Sequence, residues 1–69
     1  MEFKLKPNEE YITLIQLLKA VNIASSGSQA QMMVVNGEVK LNDIVEYRKR
    51  AKIRHGDTVS VFDKTIKIE

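Results

Sequence analysis

The stretch Ala30-Gln31-Met32-Met33-Val34-Val35-Asn36-Gly37-Glu38-Val39-Lys40-Leu41-Asn42-Asp43 contains a change of period. Ala30, Met33 and Val34 recur at i, i+3 and i+4, the spacing of one helix face. After Gly37, Val39 and Leu41 alternate with Glu38 and Lys40, the spacing of a half-buried strand. Asn36-Gly37 suits a helix end, because Gly, and to a lesser degree Asn, tolerates left-handed backbone. Asn42-Asp43 suits a tight turn for a similar reason. A helix, a stop, a strand and a turn in direct succession point to a mixed fold with short elements.

Upstream, Ser26 followed by Gln29 matches a capping box and starts this second helix. Tyr11, Leu14, Ile15, Leu18 and Val21 predict a first helix, with Ile12 and Leu17 widening its apolar stripe. Asn8 is its expected N-cap, with Glu9 and Glu10 in the first turn and Asn22 at the stop. Phe3 and Leu5 alternate with Lys4 and Lys6, predicting a short strand that Pro7 ends.

Downstream, Ile44-Val45 reads as extended, 46–50 as polar loop and 51–54 as extended again. His55-Gly56-Asp57 reads as a turn. Val59 and Val61 mark a strand, Asp63-Lys64 a hairpin turn, and Ile66 and Ile68 the return strand. The expected fold class is α+β: two short helices packed on a small, mostly antiparallel sheet of four to five strands. It forms a single domain over residues 1–69.

The inventory of reactive groups is small. There is no cysteine, so neither a disulfide nor a thiolate metal site is expected. The single histidine, His55, sits in a turn, where a surface role far outweighs a catalytic one. His55, Asp57 and Asp63 have no recognisable metal-ligand spacing, and the glycines are too scattered to cradle a phosphate. No enzyme activity, metal, cofactor or small-molecule substrate is expected. No apolar run approaches the roughly 20 residues that span a bilayer. The first residues also lack a signal-peptide core, so the expected setting is cytoplasmic.

Charge is unevenly spread. The net charge is +2, but residues 40–54 alone carry +4, while the flanking segments carry −1 each. The basic residues of that segment are Lys40, Arg48, Lys49, Arg50, Lys52 and Arg54. Arginine binds phosphate bidentately and stacks on bases, and lysine supplies a point charge. Such a local excess points to a polyanionic partner. Tyr47 adjoins Arg48, so a ring could either accompany the charges by stacking or anchor the loop to the sheet; anchoring is the commoner role. Met32 and Met33 read as rim and core residues of the second helix.

The run from the first helix to Gly56-Asp57 resembles the RNA-binding domain of ribosomal protein S-four, the αL motif. The resemblance rests on Leu14, Leu18, Ser26 and Ala30, then on Gly37-Glu38-Val39-Lys40-Leu41-Asn42-Asp43 and Gly56-Asp57-Thr58-Val59. It covers about three quarters of the chain and is closest to small stand-alone bacterial members. It implies a non-catalytic module for structured RNA, ribosomal or transfer RNA, with ribosome association as a natural setting. Three positions where relatives often carry basic side chains are here Thr13, Gly27 and Gln31. The implied RNA-binding set is therefore Lys40, Arg48, Lys49, Arg50 and Lys52, with Ser26, Gln29 and Gln31 adding polar contacts. The alternative is a protein-interaction module whose basic loop docks on an acidic partner.

Overall fold

A computed structural model describes all residues, 1–69. The helices are α1 (Leu14–Ala20) and α2 (Gly27–Val35). The strands are β1 (Glu2–Phe3), β2 (Ile12–Thr13), β3 (Val39–Leu41), β4 (Ile44–Val45), β5 (Lys52–Ile53), β6 (Thr58–Val61) and β7 (Lys64–Ile68). Five strands form one sheet in the order β1-β7-β6-β3-β4, and β2 and β5 form a separate two-stranded ladder. Only the β1–β7 pair is parallel. The expected α+β class is observed. The segment around Lys52 pairs with β2 rather than joining the main sheet.

Both helices end in the same way, for reasons visible in the sequence. In α1, Asn22 adopts φ +61°; its N–H donates to Lys19 O (3.0 Å) and that of Ile23 to Leu18 O (3.1 Å). In α2, Gly37 adopts φ +75°; its N–H donates to Val34 O (3.1 Å) and that of Glu38 to Met33 O (3.0 Å). Each is a Schellman closure, which satisfies carbonyls that a helix end otherwise leaves unpaired. Asn22 and Gly37 are the two stops expected from the sequence.

The first helix starts later than its apolar spacing suggests. Thr13, not Asn8, is the N-cap: its Oγ1 accepts from the Gln16 N–H, and the Gln16 side chain accepts from the Thr13 N–H. Thr13-x-x-Gln16 is a capping box, and Ile12 and Thr13 are β-branched residues suited to the short strand before it. Glu9 instead closes a turn, its carboxylate accepting from the Lys6 N–H at 3.1 Å. Tyr11 therefore lies outside the helix and is 39% exposed.

The core is entirely apolar. Leu14, Leu17 and Leu18 of α1 and Ala30, Met33 and Val34 of α2 pack against the inward residues Val39, Val59, Val61, Ile66 and Ile68. Ile12, Ala51 and Ile53 close one side. No polar side chain is buried, and no buried polar atom lacks a partner. The turns hold the sheet in register. Asn42 (φ +52°) and Asp43 (φ +71°) form the β3–β4 hairpin turn. Asn42 Oδ1 accepts from the Thr58 N–H (2.9 Å), and Asn42 Nδ2 donates to Asp57 Oδ1 (3.1 Å). Asp57 Oδ2 in turn accepts from the Arg54 N–H at 2.8 Å. The last hairpin turns at Phe62-Asp63, one residue earlier than Asp63-Lys64. Val61 pairs with Lys64, and Phe62 takes φ +56° with its ring exposed.

Candidate nucleic-acid interface

The basic segment leaves the sheet at β4 and returns along β5. It is fixed at its far end by the β2–β5 ladder, which pairs Ile12 with Ile53 and Thr13 with Lys52. It is also fixed by the Leu14 N–H, which donates to Ala51 O at 2.9 Å. That bond satisfies a donor at the start of α1 that has no partner within the helix. The inward residues Ala51 and Ile53 are buried, so Arg50, Lys52 and Arg54 alternate outward. Arg48, Arg50, Lys52 and Arg54 line one open concavity of about 540 Å³ with Ala51. No carboxylate lines it.

Arg50 is also the hinge between this concavity and the helices. A second depression, of about 390 Å³, is lined by Thr13, Ile15, Gln16, Gln31 and Arg50. A third, of about 350 Å³, runs along α2 between Ser28, Gln31, Met32, Val35 and Asn36. Gln31 borders both, so a continuous exposed surface runs from α2 across α1 to the basic arc. Met33 is buried as expected, while Met32 is fully on the outside at 64% exposed and contributes an apolar spot to that surface.

The expected residues are not all brought together. Lys40 lies between inward-facing Val39 and Leu41 and pairs across the sheet with Val45 and Ser60. Its side chain therefore emerges on the sheet face opposite the helices, away from the concavity. Lys49 is exposed but lines none of the three depressions. Ser26 is the N-cap of α2, its Oγ accepting from the Gln29 N–H at 3.1 Å. The Gln29 Oε1 accepts from the N–H (2.5 Å) and Oγ (2.8 Å) of Ser25 instead of reaching back to Ser26. Both side chains thus have structural partners at the helix start. Gln31 is free of intramolecular side-chain bonds.

Arg48 is held by its neighbour. Its Nε donates to Glu46 Oε2 and its Nη2 to Glu46 Oε1, both at 3.0 Å, and its backbone N–H also donates to Oε2. The side-chain hydrogen bonds from Arg48 hold the Glu46 carboxyl below its usual range, against partial desolvation. The same bonds push the Arg48 guanidinium further up, so it stays charged. This is the molecule's one salt bridge, and it offsets the Arg48 charge at the rim. Tyr47, 64% exposed, lies across Gly37: a Cβ built there would meet its hydroxyl at 3.3 Å. One ring face is thus anchored and the rest is open to solvent.

Tyr11 and Arg54 join the interface without having been expected there. The register that pairs Ile12 with Ile53 sets Tyr11 opposite Arg54. Lys52 Nζ lies 5.0 Å and Arg54 Cζ 5.7 Å from the Tyr11 ring centre. The available signal was Thr13-x-x-Gln16, which starts the helix after Tyr11 and frees that residue for a strand.

With this geometry in view, the class is defined: the chain belongs to the S4 domain family, whose sequence profile matches residues 4–69. It is similar to the YbcJ protein of Escherichia coli (strain K12), with 38% identity over 58 residues, covering 84% of this chain and 83% of that protein. The YbcJ protein of Shigella flexneri matches to the same extent. The solution structure of E. coli YbcJ superposes with a TM-score of 0.74 at 36% identity, covering 97% of this chain and 84% of that one. That structure is described as revealing an αL motif involved in RNA binding. The resemblance to the S-four type domain is borne out. No helix is long and apolar enough to cross a membrane.

Proposed function

We propose that this domain is a non-catalytic RNA-binding module for structured RNA, ribosomal or transfer RNA, acting in the cytoplasm. The arc Arg48–Arg54 supplies the charge, and the neutral face of α1 and α2 with Gln31 supplies shape and hydrogen bonds. The observation that carries this reading is the concavity lined by Arg48, Arg50, Lys52 and Arg54 with no carboxylate in it. The likeness to YbcJ and its αL motif supports the nature of the ligand. Arginine and lysine side chains that converge without acidic neighbours favour a polyanion over a neutral or apolar ligand. Lys40 and Lys49 add long-range attraction from outside the concavity.

The test is binding of unfractionated transfer RNA and of ribosomal RNA fragments across a salt series. Four to five neutralised phosphates give a slope of log affinity against log salt of roughly −3 to −4.5. A flat response, or no binding at low salt, overturns the reading. A pull-down performed with and without nuclease separates RNA binding from docking on an acidic protein: partners captured through RNA are lost on nuclease treatment, and an acidic protein partner is retained.

A further inference from the structure

Tyr11 sits where two cations of like charge rise side by side from one strand. Lys52 and Arg54 are two residues apart on or beside β5, with buried Ile53 between them, so both side chains point outward. Their Cα atoms are about 6.7 Å apart along an extended chain. Neither head has a carboxylate partner; the only salt bridge joins Arg48 to Glu46. Asp57, the nearest acidic residue in sequence, has both carboxylate oxygens occupied by the Arg54 N–H and Asn42 Nδ2. Two unpaired, long, like-charged side chains would normally splay apart and sample many rotamers. Here both heads lie within about 6 Å of one aromatic ring centre, the range in which the ring's quadrupole attracts a cation.

We infer that Tyr11, Lys52 and Arg54 form a preorganised clamp for two neighbouring phosphates of an RNA strand, with Tyr11 as the positioning residue. The ring holds both heads at the mouth of the concavity before any ligand arrives. Lys52 supplies a point charge, and Arg54 a planar fork that can meet one phosphate with two N–H donors. Tyr11 itself does not contact the RNA. Its contribution is to spare part of the ordering cost of two rotamer-rich side chains, worth about five- to tenfold in affinity. The identity of the ligand rests on the RNA-binding reading, whereas the clamp rests on the ring and its two cations.

The experiment measures two probes, unfractionated transfer RNA and inorganic tripolyphosphate, on the full chain. Tyr11→Leu is expected to weaken both by about five- to tenfold. Tyr11→Phe is expected to bind like the parent, since the ring and not the hydroxyl attracts the cations. In a Lys52→Ala/Arg54→Ala background, Tyr11→Leu should have no further effect, because nothing is left to position. In the parent, ring-current shifts should move the Lys52 ε-protons and Arg54 δ-protons upfield in NMR spectra. Tyr11→Phe should keep those shifts. Unaltered binding of both probes by Tyr11→Leu overturns the clamp, as does absence of the upfield shifts in the parent. An undiminished Tyr11→Leu effect in the Lys52→Ala/Arg54→Ala background also overturns it, because the ring would then be stacking on bases directly. Tyr11-dependent tripolyphosphate binding without RNA binding overturns the RNA reading and leaves the clamp standing. Binding of neither probe by the parent overturns both.

Discussion

On one side of Arg50 lie Thr13, Gln16 and Gln31, neutral groups on and beside α1 and α2; on the other lie Lys52 and Arg54, cations on and beside β5. The two regions share an edge and are held by the same anchor, the start of α1, where Thr13 caps the helix and Leu14 bonds to Ala51. They differ in what they offer a ligand. The helix side presents hydrogen-bonding groups and the apolar Met32 and Val35, which respond to shape and to sugar or base edges. The arc presents charge that any phosphate would satisfy. Affinity and salt dependence should therefore reside in the arc, and discrimination between RNAs in the helices.

The strongest way to break this contrast is to remove the arc. Arg50→Ala with Lys52→Ala and Arg54→Ala should reduce RNA affinity at least about a hundredfold, at about 1 kcal/mol or more for each phosphate contact. The salt slope should flatten by about 2 to 3. Since all three side chains point outward, thermal unfolding should be nearly unchanged. If the triple variant binds as well as the parent, the charge is not where the RNA sits. The converse change tests the neutral side. Gln31→Arg places a cation on α2 beside Arg50 and should raise affinity about fivefold at low salt while steepening the slope by about 0.7 to 0.9. Unchanged salt dependence would mean that RNA does not reach α2.

The smallest effect concerns the rim. Glu46→Gln releases Arg48 from its bidentate partner, so affinity should rise less than about threefold and the slope steepen by less than one. The same pair has a pH signature. Arg48 holds the folded-state carboxyl of Glu46 below its usual range, so the pair's small stabilisation is present above the unfolded carboxyl's pKa. It is lost as pH falls through the lowered value. Acid titration followed by circular dichroism should show a shallower stability loss on that limb for Glu46→Gln. An identical acid limb in both proteins would mean that the ion pair adds nothing to stability.

Much of the fold was legible because local chemistry and global packing agree. Asn22 and Gly37 stop helices by adopting positive φ, and Asn42-Asp43 turns a hairpin for the same reason. The residues that carry the family resemblance prove to be mainly scaffold. Gly37 closes α2 under Tyr47, and Asn42 and Asp57 bond to each other across two turns. The start of α1 was misread because Tyr11 and Ile12 fit a helical stripe as well as a strand, and the stripe outweighed the Thr13–Gln16 cap. Phe62 was missed as a turn residue because a bulky side chain at φ +56° runs against local preference.

The site was legible as a charge excess but not as a shape. Composition located the cations between Lys40 and Arg54 but could not separate them, since strand alternation decides which face each one meets. That alternation sends Lys40 to the far side of the sheet and gathers Arg50, Lys52 and Arg54 at the concavity. Glu46 was counted as one negative charge in the segment, while its effect falls on Arg48 alone. The pairing of Tyr11 with β5 was invisible because it depends on a two-residue ladder between segments some forty positions apart.

The pairing of β7 has a consequence for timing during synthesis. β7 lies between β1 and β6, puts Ile66 and Ile68 into the core, and pairs Glu2 with Lys67. It also secures the turn that follows Arg54: the Gly56 N–H donates to Ile68 O (2.9 Å) and the Ile68 N–H to Asp57 O (3.0 Å). A nascent chain still lacking β7 can form its helices and the β3–β4 hairpin from local contacts. It has no partner for β1 and no anchor for the turn beside Arg54. The cations would then hang on a loose loop, attracted to any nucleic acid but shaped for none. Completion of β7 converts that diffuse charge into a surface with a defined outline, so RNA recognition is withheld until the fold is complete.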